Sequence, residues 1–361
     1  MALLEVEDLE VNFYTEGGVV TAANEVSYRI DRGEKFGVVG ESGAGKSVTA
    51  LSLLRLIDNP GYIESGTIRF KGRDILEMDT EEIRQVRGNE IAMVFQDAQT
   101  ALNPVYTVGE QIAEAVRLHL GYDKREARDH AIEMLDRVGI PDPAERYTDY
   151  PHQFSGGMQQ RAVIAMALSC DPDLLICDEP TTALDVTIEA QILELLDDLT
   201  KRFDTAIQLI THDLGVVAGI CDSVMVMYAG KPVEHATVDE IFYDPKHPYT
   251  VGLMSSIPRI GSDEELLQTI PGRMPDLIEL PRGCNFHPRC RYAKDACARL
   301  EPEMVEPDTG TVVNGLDDER GAACLAYSGD LSDPLGYQVY VDDEPVAGTD
   351  GSRSREGDGD E

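Results

Sequence analysis

An α/β fold is predicted by three features of this 361-residue chain. A glycine-rich loop near position 40 joins an apolar strand pattern to a helix pattern. Strand and helix patterns alternate again from 174 to 210, and two half-exposed strand patterns precede the loop. Alternation of strand and helix favours a parallel sheet covered by helices, whereas period-2 runs favour an antiparallel layer with one wet face.

The first runs, Leu3 to Val11 and Glu25 to Ile30, alternate apolar and polar residues around the turn Thr15-Glu16-Gly17-Gly18. Phe13 stands where an aromatic can stack on a purine ring, with Tyr14 as neighbour and rival, and a core-filling role fits either equally well. Phe36-Gly37-Val38-Val39 reads as a short buried strand and Val48 to Leu54 as a helix. Between them, Gly40-Glu41-Ser42-Gly43-Ala44-Gly45-Lys46-Ser47 has the G-x-x-x-x-G-K-S spacing of a phosphate loop, in the strand-turn-helix setting that such a loop needs. Glycines let successive N–H groups face one centre, and the helix N-terminus at Ser47 and Val48 adds partial positive charge. Lys46 can bridge terminal phosphates and Ser47 can hold Mg²⁺, so ATP is the expected ligand.

Gly66 to Phe70 and Ile91 to Phe95 read as further strands, the second delivering Gln96, an uncharged amide able to reach a metal ion or an attacking water. From Asp97 to about His152 the pattern turns helical, with Val108 to Val116 and Lys124 to Val138 as the helices and Pro141 and Pro143 as breaks, which predicts a helical insertion. Phe154-Ser155-Gly156-Gly157-Met158-Gln159 precedes the apolar helix Ala162 to Leu168 and offers a second phosphate-facing helix start. The buried strand Leu174 to Cys177 ends in Asp178-Glu179, suited respectively to Mg²⁺ and to polarising water. Ala183-Leu184-Asp185, a helix from Val186 to about Arg202 and a strand Ala206 to Ile210 lead to His212. Cys177 reads as a small apolar core residue.

Composition narrows the partners. With 67 acidic against 31 basic residues and a net charge of -36, the chain lacks the basic footprint that nucleic acid requires. The ATP site is then expected to be locally basic, and the acidic surface resembles that of proteins from salt-loving organisms, where ions screen self-repulsion. No run of about 18 apolar residues exists, and the N-terminus has no signal-peptide pattern, so a cytoplasmic protein is expected.

The ordered set of phosphate loop, Gln96, Ser155-Gly156-Gly157-Met158-Gln159, Asp178-Glu179, Asp185 and His212 resembles the nucleotide-binding subunit of an ABC transporter across residues 1 to 255. Phe154 and Met158 depart from the commoner signature residues in a way that is similar to the peptide-importer branch. His247-Pro248-Tyr249-Thr250 resembles the mark of oligopeptide, dipeptide and nickel importer ATPases, although proline after histidine most simply sets a helix start. The resemblance implies an ABC-type P-loop NTPase with an antiparallel β layer and a helical subdomain at about 97–158, extended by a small Cys-rich segment at 256–327. It implies ATP sandwiched between two cassettes, with Lys46, Gln96, Glu179 and His212 catalytic, Mg²⁺ held through Ser47, Gln96 and Asp178, and the signature serving the partner's ATP. Two transmembrane permeases, a second ATPase subunit and an extracellular substrate-binding lipoprotein are the implied partners, and the chain itself is placed at the cytoplasmic face of the membrane. Peptides are the implied substrate, with sugars or nickel as alternatives and a soluble, non-transport ABC ATPase as the rival class.

Cys284, Cys290, Cys297 and Cys324 gather in an otherwise cysteine-poor chain, which favours metal ligation over a disulfide framework. The resemblance suggests a [4Fe-4S] cluster held by four thiolates; zinc, with His287 replacing one thiol, is the alternative. Residues 328–361, rich in Asp, Glu, Gly and Ser, read as an acidic disordered tail.

Overall fold

The computed structural model describes residues 2–96, 98–182, 185–256, 270–316 and 320–331. Strands β1 (Ala2–Thr15) and β2 (Gly18–Asp31) form the expected antiparallel hairpin and run further than their alternating cores. Strand β3 (Lys35–Val39) leads into helix α1 (Lys46–Leu53), and β4 (Gly61–Phe70) and β5 (Arg73–Asp74) return to the hairpin. The outer sheet has the order β2-β1-β4-β5.

Helix α2 (Thr80–Val86), held by an Asp79–Glu82 capping box, precedes strand β6 (Ile91–Val94). Helices α3 (Ala98–Ala101), α4 (Val108–Leu120), α5 (Lys124–Arg137), α6 (Pro143–Arg146) and α7 (Gly156–Leu168) follow. The helical layer thus extends past the expected limit near 158, because α7 starts at the signature and packs its Ala162 and Ala165 with Ile112, Val116, Ala131 and Leu135 of α4 and α5.

The remaining elements complete the main sheet: β7 (Leu174–Asp178), α8 (Val186–Phe203), β8 (Ala206–Thr211), α9 (Leu214–Ile220), β9 (Ser223–Tyr228) and β10 (Lys231–Thr237). Helices α10 (Val238–Tyr243) and α11 (Pro248–Met254) and the short strand β11 (Gly321–Ala322) end the fold. The sheet order is β11-β10-β9-β3-β8-β7-β6, parallel from β9 to β6. Both of its faces are buried, which accounts for the unbroken apolar runs of its strands. Val38, Ile176 and Ile210 face the outer sheet, and Val39, Cys177 and Leu209 face the helices.

The described residues of the Cys-rich segment, 270–316 and 320–327, pack against the cassette. β11 adds to the main sheet through Glu234 opposite Ala322. Phe286 is buried with its ring centroid 5.1 Å from that of Tyr228 and 5.4 Å from that of Tyr249. Arg29 donates to the Leu316 carbonyl and Tyr327 to that of Lys246, so the segment shares the core of the cassette. The tail beyond Leu331 lies outside the described residues.

Candidate nucleotide site

The loop after β3 turns because two glycines sit where no other residue fits. A Cβ on Gly40 would lie 2.3 Å from the Met227 carbonyl oxygen. At Gly45, with φ near +101°, a Cβ would lie 2.2 Å from the carbonyl oxygen of Ala22. Gly45 caps α1 without a side chain, which leaves the first N–H groups of the helix for an anion. Lys46 is buried and folds over the loop, its Nζ donating to the carbonyls of Gly40 at 2.7 Å and Glu41 at 3.1 Å. Burial lowers the pKa of its ammonium, against the pull of Glu179, Asp178 and Glu41. The backbone N–H groups of the loop add to the attraction of Lys46 for phosphate.

The parallel sheet brings the chemistry to one edge of the loop. Ser47 Oγ donates to Asp178 Oδ1 at 3.1 Å, so two of the three expected Mg²⁺ ligands meet. Burial raises the pKa of Asp178, and the neighbouring Glu179 raises it further, while the Ser47 bond and Lys46 lower it. Gln96 is exposed and joins a different residue: its Nε2 donates to Glu179 Oε2 at 2.8 Å. Thr182 Oγ1 donates to the same oxygen at 3.0 Å, and His212 Nδ1 lies 3.4 Å from Oε1. Glu179 holds φ near +46°, an uncommon backbone state for a side chain of its size, and its N–H donates to the Ile210 carbonyl. Glu179 is thus the hub of a polar cluster, with Gln96, Thr182 and His212 around it.

The signature stands elsewhere. Ser155 caps α7 by accepting from Met158 N at 3.4 Å, Gln159 donates to the Pro151 carbonyl, and Ser155 and Gly156 are exposed. Gly157 lets α7 approach Ile188 of α8. Asp185 caps α8 through Thr187 N and Ile188 N; its neighbours Ala183 and Leu184 lie outside the described residues. Phe13 is half-buried against Gly61 and the core of the outer sheet, whereas Tyr14 is 49% exposed and donates to Glu64.

The four C-terminal thiols line one narrow cavity with Phe286, His287 and Leu325. Burial pushes Cys284 up to about 11 and Cys324 up to about 12. They are not drawn together as a ligand group: among the described residues no set of three or more His, Cys, Asp or Glu side chains is arranged to hold a metal ion. His247 caps α11 by accepting from Tyr249 N, and burial holds it at about 3, so the His-Pro-Tyr-Thr stretch is a neutral helix start as read from sequence.

Sequence reasoning missed three contacts with the phosphate loop. Tyr249 Oη accepts from Glu41 N at 2.9 Å, a Cβ on Gly43 would meet Met274 at 2.8 Å, and Arg289 clamps the Glu41 carboxylate. The signal was Glu41 itself, an acid inside an anion-binding loop.

Comparison with known proteins places these features. Residues 23–182 match the ABC transporter family, and residues 233–297 match the C-terminal region of oligopeptide/dipeptide transporters. The oligopeptide transport ATP-binding protein OppD of Haemophilus influenzae is 50% identical over 312 residues, 86% of this chain and 96% of that protein. OppD of Bacillus subtilis is 54% identical over 306 residues, 84% of this chain and 86% of that protein. Among solved structures, a dimeric bacterial ABC transporter cassette, MJ0796, superposes with a TM-score of 0.58 at 25% identity over 65% of this chain and 98% of its own.

Proposed function

The chain belongs to the ABC transporter ATP-binding subunits of the oligopeptide/dipeptide importer family, and from that premise we infer that it hydrolyses ATP to power peptide import. Identity of about 50% to oligopeptide transport ATP-binding proteins, over a span that includes the phosphate loop and the C-terminal segment, carries the reading. The match at 233–297 argues against a soluble ABC ATPase, and sugars or nickel remain alternative cargoes for the same machine.

Catalysis is positioning and electrostatic stabilisation. The backbone of residues 40–48 cradles the phosphates, Lys46 turns from the loop carbonyls to the terminal phosphates, and Phe13 stacks on the base. Mg²⁺ would neutralise phosphate charge there, and Ser47, Asp178 and Gln96 are the residues that would hold it. Glu179 orients the attacking water, and His212 supports Glu179 and the γ-phosphate. Ser155 and Gly156, exposed in one chain, and the partly buried Gly157, Met158 and Gln159 behind them face the ATP of a second cassette, with Asp185 at the joint. A second ATPase subunit, two membrane permeases and an extracellular substrate-binding lipoprotein complete the importer, with this chain at the cytoplasmic face of the membrane. No helix among the described residues is long and apolar enough to cross a membrane.

Cys284, Cys290, Cys297 and Cys324 line one cavity and suit a soft metal centre in donor type, although among the described residues they are not arranged as a ligand set. We propose that these four hold a [4Fe-4S] cluster, or zinc with His287 in place of one thiol. The raised pKa values of Cys284 and Cys324 make loading release protons and favour alkaline conditions. The net charge of -36 supports a working environment of high salt. Uptake of a labelled oligopeptide by membrane vesicles energised with ATP tests the function. Vesicles carrying Lys46→Ala should lose uptake; undiminished uptake contradicts the reading.

A further inference from the structure

Glu41 is the one acidic side chain in the loop Gly40 to Ser47. A carboxylate there repels the triphosphate that the loop is built to bind, unless a cation neutralises it. The cation comes from 248 residues away: Arg289 Nη1 donates to Glu41 Oε2 and Nη2 to Oε1, both at 3.0 Å. This is the bidentate fork that fixes direction as well as charge. The Arg289 side chain is only 7% exposed. Its Nε donates to the Pro271 carbonyl at 2.9 Å, its Nη1 to Tyr228 Oη at 3.3 Å, and its guanidinium lies 5.7 Å from the Tyr228 ring centroid. The pair is therefore held in place from the C-terminal side, while Glu41 belongs to the loop. Through its own backbone carbonyl Glu41 also receives the Lys46 ammonium at 3.1 Å, so its position bears on the lysine that meets the phosphates.

We propose that Arg289 is a positioning residue for ATP: it cancels and orients the Glu41 carboxylate so that the phosphate loop accepts the triphosphate. The inference rests on the loop being the ATP site. Arg289 precedes Cys290, which faces the thiol cavity, so this side chain links the C-terminal segment to nucleotide affinity.

Binding of N-methylanthraniloyl-ATP to the purified full chain, at the lowest salt that keeps it folded, tests this. Arg289→Met leaves a bare carboxylate in the loop and should weaken binding about tenfold, the cost of one unpaired charge near the phosphates. Arg289→Lys, which keeps the charge but loses the fork, should recover part of the loss and serves as the variant if Arg289→Met does not fold. Glu41→Gln added to either should restore affinity to that of Glu41→Gln alone. An arginine that only props up the C-terminal segment gives a double variant as weak as the single one, and that result overturns the proposal, as does parental affinity in Arg289→Met. If the parent and Lys46→Ala bind equally, the ATP reading of the loop fails instead.

Discussion

Two helices of this chain begin at glycine-rich turns, and they begin differently. Helix α1 is capped by Gly45, which offers no side chain to its free N–H groups, and Lys46 lies buried across the turn. Helix α7 is capped by Ser155, whose hydroxyl already accepts from Met158 N, and its first residues face solvent. The first start leaves its N–H groups uncapped beside a buried lysine, the arrangement that the proposed phosphate site needs. The second is a surface with donors and no enclosure, so it becomes a site only when something is pressed against it. One chain thus holds both halves of an ATP site without bringing them together.

The largest expected effect lies at the first start. Gly45→Ala places a Cβ 2.2 Å from a backbone carbonyl in a left-handed conformation, so nucleotide binding should fall at least about a hundredfold while the helical layer keeps its structure. A fluorescent ATP titration with circular dichroism checks this, and near-parental affinity would break the claim of a preformed loop.

A smaller effect sharpens what braces α1 and not α7. Cys290→Ser removes one donor beside Arg289. Bound metal should drop by elemental analysis, hydrogen exchange should rise across residues 284–297, and α7 should exchange as before. Unchanged metal content and exchange would show that the thiols hold nothing.

The smallest effect concerns pH. Burial keeps His247 at about 3 against an ordinary 6.5, so the unfolded chain takes up a proton that the folded chain refuses. Stability from this group is complete above pH 6.5 and falls as pH drops toward 3, by at most about 1.4 kcal/mol per unit. His247→Asn keeps a capping acceptor and removes the titration. Its melting temperature should fall less steeply than the parent's between pH 6.5 and 5; parallel slopes would contradict the assignment.

The legible parts of the sequence were those encoded by neighbours. Val38 and Val39, Ile176 and Cys177 announce strands buried on both faces, and Gly40 to Ser47 specifies its own turn. The ends of elements were less legible: α1 starts at Lys46 and β6 stops at Val94, leaving Phe95 outside the strand. Contacts between distant residues were not legible at all. Nothing local to Arg289 points to Glu41, and nothing in Gly321-Ala322 announces a strand, because β11 exists only through pairing with β10. The thiols sit between these extremes: their clustering was visible, and their shared cavity depends on the fold. Gln96 was read as a metal or water ligand, and it turns instead to Glu179, whose placement depends on the parallel register of β7 and β8.

The most direct measurement is Ser155→Arg examined twice, by nucleotide affinity of the isolated chain and by ATP turnover in the complex purified from native membranes at high salt. If the signature serves a second cassette, affinity stays within about twofold of the parent while turnover falls about a hundredfold or more. If affinity of the isolated chain falls along with turnover, Ser155 serves its own phosphate loop and the two-cassette account is wrong.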